Sequence, residues 1–123
     1  MPYEFRPPNP AHPPNARTVA LLETEEFQRH VNNPLVSCEE LAEELFHAAE
    51  KEGGVLRIIP RPRVMLHVPE ASGISTDFAF HEVYTDSRYV FDPRLQMIAI
   101  PKSDYVRLLR QLNPGVSITI LKF

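Results

Sequence analysis

A single cysteine in 123 residues rules out an internal disulfide, so oxidative crosslinking is not what holds this chain together. No apolar run approaches the length that spans a bilayer, and the opening MPYEFRPPNP lacks the apolar segment of a secretory signal. Positive charge is not in excess either: 13 Lys and Arg against 16 Asp and Glu give a net charge of −3. That removes the simplest argument for nucleic-acid binding, and Arg57, Arg61 and Arg63 read as a solvated basic edge. There is no Gly-rich phosphate loop, no Ser-centred nucleophile elbow and no internal repeat. His67, Asp77, His81 and Glu82 match no tight metal-ligand spacing. The expectation is therefore a small domain with no cofactor, no metal, no nucleic-acid partner and no membrane partner.

What is present divides in two. Residues 1–16 hold six of the thirteen prolines and cannot build a helix or a central strand. They read as a disordered, proline-rich leader or linker feeding a domain at 17–123. In that domain Thr18 to His30 is predicted as a helix, broken by Asn32-Asn33-Pro34. Ser37 and Glu40 have capping-box spacing, which makes Ser37 the N-cap and Cys38 the first residue of the next helix. Leu41, Ala42, Leu45 and Ala49 make its apolar stripe, and Gly53-Gly54 are expected to end it. Strand patterns follow at 55–59, 64–68, 78–84, 88–92 and 97–100. A short amphipathic helix at 103–112, with Tyr105, Leu108, Leu109 and Leu112 inward, precedes a closing strand at 116–121. Helices first and antiparallel strands later indicate an α+β fold, with N-terminal helices packed on a small antiparallel sheet.

Candidate chemistry gathers at three residues. If Asp86-Ser87 is a two-residue turn, His81 pairs with Asp92 across the hairpin, and directly opposed β-carbons lie about 4.5–5.5 Å apart. A carboxylate there would hold one imidazole tautomer and stabilise the imidazolium. A three-residue loop would separate the pair, leaving a half-exposed histidine near an acidic strand end. Tyr84, Tyr89 and Phe91 fall on the opposite hairpin face, as core. Cys38 on its own reads as a small hydrophobe, yet at a helix N-terminus the dipole and the unpaired amides favour a thiolate and can hold an oxyanion. Glu39 and Glu40 oppose that thiolate, so a nearby imidazolium is required. Nucleophile, base and orienter are then Cys38, His81 and Asp92. His47 lies nine residues along the same helix, too far to act on Cys38.

The segments SCEELAEEL, FHEVYTDSRYVFDPRL and IPKSDYVRLLRQLNPG, with cysteine opening a helix and His and Asp following in order, resemble the papain-fold toxin domains of bacterial polymorphic toxins. The resemblance covers residues 17–123. It implies a papain-like fold and a Cys–His–Asp triad performing acyl transfer on an amide, as a protease or a glutamine deamidase. It also implies a protein substrate, a cognate immunity protein, and export as the C-terminal part of a larger chain that acts in the target-cell cytoplasm. Papain-like enzymes often carry a Gln six residues before the cysteine as an oxyanion donor. Asn32 holds that position here, although a structural turn ahead of Pro34 explains it equally well. Two other readings stand beside this one: a non-catalytic interaction module, in which His81 is exposed without Asp92, and a small nuclease.

Overall fold

A computed structural model describes residues 3–121. Four helices and seven strands follow one another: α1 (Ala16–Leu22), α2 (Glu25–Asn32), α3 (Cys38–Ala48), β1 (Gly54–Ile59), β2 (Leu66–Glu70), β3 (Gly73–Phe78), β4 (His81–Thr85), β5 (Tyr89–Phe91), β6 (Ile100–Pro101), α4 (Lys102–Leu112) and β7 (Ser117–Leu121). Five strands form an antiparallel sheet in the order β6-β5-β4-β1-β7, and β2 and β3 make a separate two-stranded ribbon. The fold class is α+β, as the order of patterns indicated.

Side chains alternate across a strand, and here both faces of the sheet are covered. One core joins Leu22, Phe27, Leu41, Leu45 and Phe46 of the first three helices to Val55, Tyr84, Tyr89 and Phe91 of the sheet. The other joins Leu56, Ile58, Val83 and Val90 to Leu66 and Val68 of the ribbon and to Tyr105 and Leu109 of α4. Central strand β4 is consequently buried at every residue. Tyr84, Tyr89 and Phe91 are core, with the Tyr84 ring 5.3 Å from that of its cross-strand partner Phe91 and tilted 49° to it.

Several boundaries differ from the pattern. The first helix is two helices, because the Thr24 side chain accepts from the Phe27 amide and caps a new start at Glu25. The third ends before the glycines: Glu50 and Lys51 take left-handed backbone angles, and Gly54 already belongs to β1. Gly53, at φ 81°, lies so close to the Thr85 carbonyl that a Cβ would collide with it. The run at 78–84 is divided between β3 and β4, and Met97 to Ala99 contribute no strand. In α4 Tyr105 and Leu109 are fully buried, whereas Leu108 and Leu112 are half-buried.

Residues 3–15 contain neither helix nor strand, and several of them bond to or pack on the domain. Tyr3 and Phe5 pack on the second core, and Arg6 grips Asp104 with its Nε at 3.1 Å and its terminal nitrogen at 2.8 Å. The Tyr89 hydroxyl accepts from the Asn9 amide at 2.9 Å and donates to the His12 carbonyl at 2.6 Å.

Candidate active site

Cys38 opens α3 as its sequence signals indicated. Ser37 sits in extended backbone, and its hydroxyl accepts from the Glu40 amide at 3.2 Å. The Leu41 amide bonds the Ser37 carbonyl. Among the described residues the amides of Cys38 and Glu39 gain no such partner, which leaves two N–H groups and the positive end of the helix beside the half-buried thiol.

The hairpin that carries His81 and Asp92 has a different register from the one expected. Tyr84 pairs with Phe91 and Thr85 with Val90, so Asp86 to Arg88 make the connection, with Tyr89 opening β5, in place of the two-residue Asp86-Ser87 turn. The longer turn is built on Asp86, whose carboxylate accepts the amides of Arg88 at 3.0 Å and Tyr89 at 2.8 Å, with Ser87 at φ 84°. Every partner is displaced by two positions, and two is the displacement that preserves the face a side chain points to. Continued by one residue, this register puts Asp92 opposite Val83 and makes His81 its diagonal neighbour. Diagonal β-carbons are about 7–8 Å apart, a gap that an imidazole and a carboxylate can close. The two side chains meet, with His81 Nε2 3.1 Å from Asp92 Oδ2.

Both are almost wholly out of solvent, His81 at 4% and Asp92 at 3% exposure. A carboxylate only accepts, so Nε2 carries the proton. The other ring nitrogen, Nδ1, is buried and has no hydrogen-bond partner of good geometry among the described residues. The thiol of Cys38 is nevertheless close enough to act on the ring. Burial pushes the His81 pKa down, but the charge and hydrogen bond of Asp92, followed by Cys38, outweigh it and raise the pKa to about 10. Cys38 opens α3 and His81 opens β4, so the two can meet at the end of the sheet although α3 packs on its other face.

Asp92 has a second donor. The Tyr105 hydroxyl, from the buried face of α4, bonds Oδ2 at 2.8 Å. Sequence reading took Tyr105 as core only. The signal available was that a phenol at a buried helical position needs a polar partner. Arg94 was missed too. Its guanidinium donates to the carbonyls of Val31 (3.1 Å), Asn33 (3.0 Å) and Val36 (2.5 Å), pinning the loop that delivers Cys38 to a residue two places from Asp92. An arginine two residues after an aspartate carries no local pattern that would reveal this.

Asn32 is exposed at the end of α2 and lines a surface cavity of about 410 Å³ with Gln28, Glu70, Ser72 and Arg94. Among the described residues no hydrogen bond or electrostatic contact joins it to Cys38, His81 or Asp92. Glu82, on the opposite face of β4, lies 3.7 Å from the Arg57 guanidinium, and burial and the charge of Glu39 raise its pKa. Arg57 in turn sits over the Phe80 ring at 4.5 Å. His30 pairs with Glu44 at 3.0 Å and His47 with Glu43 at 3.5 Å, on the outer side of α3. Among the described residues no group of three or more His, Cys, Asp or Glu side chains is arranged to hold a metal, and no helix is long and apolar enough to cross a membrane.

What the arrangement can do is transfer a proton between Cys38 and a histidine whose far side is held by a carboxylate. Comparison of the chain with protein-family models, with curated proteins and with solved structures found no match to any of them.

Proposed function

We propose that this domain is a papain-like cysteine hydrolase acting on an amide through Cys38, His81 and Asp92. One observation carries the reading: a buried histidine is bonded through Nε2 to Asp92 at 3.1 Å while its other nitrogen is unpartnered among the described residues, and against the cost of burial Asp92 and then Cys38 favour its charged form. With its pKa near 10, His81 is a cation at neutral pH and holds the proton that a leaving nitrogen needs.

The thiolate attacks the amide carbonyl carbon, and the charge on oxygen is held by the Cys38 amide at the helix N-terminus, with Glu39 N–H beside it. The C–N bond breaks as the imidazolium gives its Nδ1 proton to the leaving nitrogen, forming a thioester and free amine or ammonia. Water then adds to the thioester, its proton passing to His81, and the carboxylic product leaves as the thiolate–imidazolium pair returns. Asp92 keeps its bond to Nε2 throughout. Asn32 as an additional oxyanion donor rests on the resemblance alone.

The fuller reading, a toxin or effector domain with a protein substrate in the target-cell cytoplasm and a cognate immunity protein, rests on the same resemblance. The interaction-module alternative required an exposed His81 without Asp92, and the buried pair counts against it. Intact-mass analysis of target-cell proteins after exposure tests the reading. Deamidation adds about one dalton to a substrate and proteolysis creates new termini, and Cys38→Ala abolishes either while leaving the fold intact. Unchanged activity of Cys38→Ala would overturn it.

A further inference from the structure

Asp92 receives two donors on one oxygen. His81 Nε2 lies 3.1 Å from Oδ2 and the Tyr105 hydroxyl 2.8 Å from the same atom. The backbone of Asp92 is fixed separately, its carbonyl accepting the Leu95 and Gln96 amides at 3.0 Å each. The aspartate main chain is thus held by the loop that follows β5, and the direction of its carboxylate is set by whatever bonds the side chain.

Tyr105 is fully buried within the second core. A phenylalanine would fill that position without the cost of burying a hydroxyl. The hydroxyl instead makes a charge-assisted bond to a carboxylate that is itself 3% exposed. From α4, the helix furthest along the chain from Cys38, it closes a relay in which Tyr105 bonds Asp92 and Asp92 bonds His81, with Cys38 acting on the imidazole. The titratable groups around Asp92 are accounted for by element: His81 from β4, Tyr105 from α4 and, beyond the imidazole, Cys38 from α3. Burial and the charge of Asp92 raise the Tyr105 pKa well above that of a free phenol, so the hydroxyl stays a donor at every pH where the site would work.

We infer that Tyr105 is a positioning residue of this site, its hydroxyl fixing the Asp92 carboxylate so that His81 presents Nδ1 to Cys38. The inference rests on the Cys38–His81–Asp92 reading and adds a fourth member that touches neither substrate nor reacting atom. Losing the hydroxyl leaves Asp92 free to rotate on one remaining bond. The ring it steers then spends less time against the sulfur, and the thiolate loses support at the pH where it depends on the imidazolium.

The test is iodoacetamide alkylation of Cys38 in the full chain, comparing wild type, Tyr105→Phe and His81→Ala across pH. Tyr105→Phe is expected to slow alkylation about three- to tenfold near pH 6, and to match wild type within about twofold near pH 9.5, where a free thiol is ionised unaided. A Tyr105→Phe profile that overlays wild type, with only a lower melting temperature, overturns the inference and leaves the triad standing. A His81→Ala profile that also overlays wild type overturns the triad itself, so the two failures are distinct. Should Tyr105→Phe fail to fold, the wild-type phenol still reports. The ring-carbon resonance of Tyr105 must shift when Cys38 is alkylated, and a resonance that does not move overturns the relay.

Discussion

His81 is the residue whose protonation the fold changes across neutral pH. Its pKa rises from 6.5 unfolded to about 10 folded, opposed by burial and driven by Asp92 and then Cys38. The folded state therefore holds a proton that the unfolded chain has released between those two values. The stability this contributes is complete below pH 6.5 and is lost as pH rises towards 10. Urea midpoints measured across that window are expected to fall with pH in wild type and to flatten in His81→Gln. A wild-type midpoint that rises over the same window would show that the histidine is not held as a cation. Asp92→Ala strands the imidazolium in an apolar pocket and is expected to cost about 3–5 kcal/mol, read by chemical denaturation. Asp92→Asn, which keeps the shape, is expected to cost less.

At the scale of elements, the site depends on how three starts are set: α3, β4 and the turn between β4 and β5. Ser37 fixes the first, and its cap was readable because serine three residues before an acidic helix position is a local signal. Arg94 fixes the approach to it through three carbonyls, and no local signal reveals a bond across some sixty residues of sequence. Arg94→Met is expected to lower stability by about 1–3 kcal/mol and to speed hydrogen exchange of the first turn of α3 more than that of α4. Equal acceleration in both helices would contradict the proposed local role. The turn was the place where pattern reasoning failed instructively. Asp86 bonds two amides ahead of it and so moves the pairing register by two positions, a side-chain choice that alternation of apolar residues cannot report. His81 and Asp92 stayed on one face because the slip was even. The split at Thr24 leaves a trace in the sequence, since the apolar spacing steps three residues from Val19 to Leu22 and then five to Phe27, and the Thr24 cap falls in that wider gap. Gly53 joins α3 to β1 at a positive φ and against the Thr85 carbonyl. Gly53→Ala should therefore destabilise by more than the roughly 1 kcal/mol of an unstrained glycine exchange, with Tm as the readout.

The whole molecule is a sheet covered on both faces, with the three helices that bring the cysteine on one side and the ribbon and α4 on the other. That layering puts the helix that carries Cys38 and the helix that carries Tyr105 on opposite sides of the sheet. The leader runs along the domain, tied through Arg6 and Asp104, through the Tyr89 hydroxyl, and through the Asn15 amide to Asp86 at 2.9 Å. Tyr89→Phe keeps the buried ring and removes two of these bonds. Limited proteolysis is expected to cut within residues 3–14 faster in this variant than in wild type, and faster still in high salt, where the exposed Arg6–Asp104 pair is screened. What decides the account is whether a layered fold of this kind makes one thiol reactive. The rate of Cys38 alkylation by iodoacetamide, followed against pH in wild type and His81→Ala, measures that directly. The expected result is a wild-type rate that holds from about pH 9 down to about pH 6, and a His81→Ala rate that falls about tenfold per unit below the ordinary thiol pKa near 8.5. A wild-type thiol that titrates near 8.5 on the same curve as His81→Ala would contradict it.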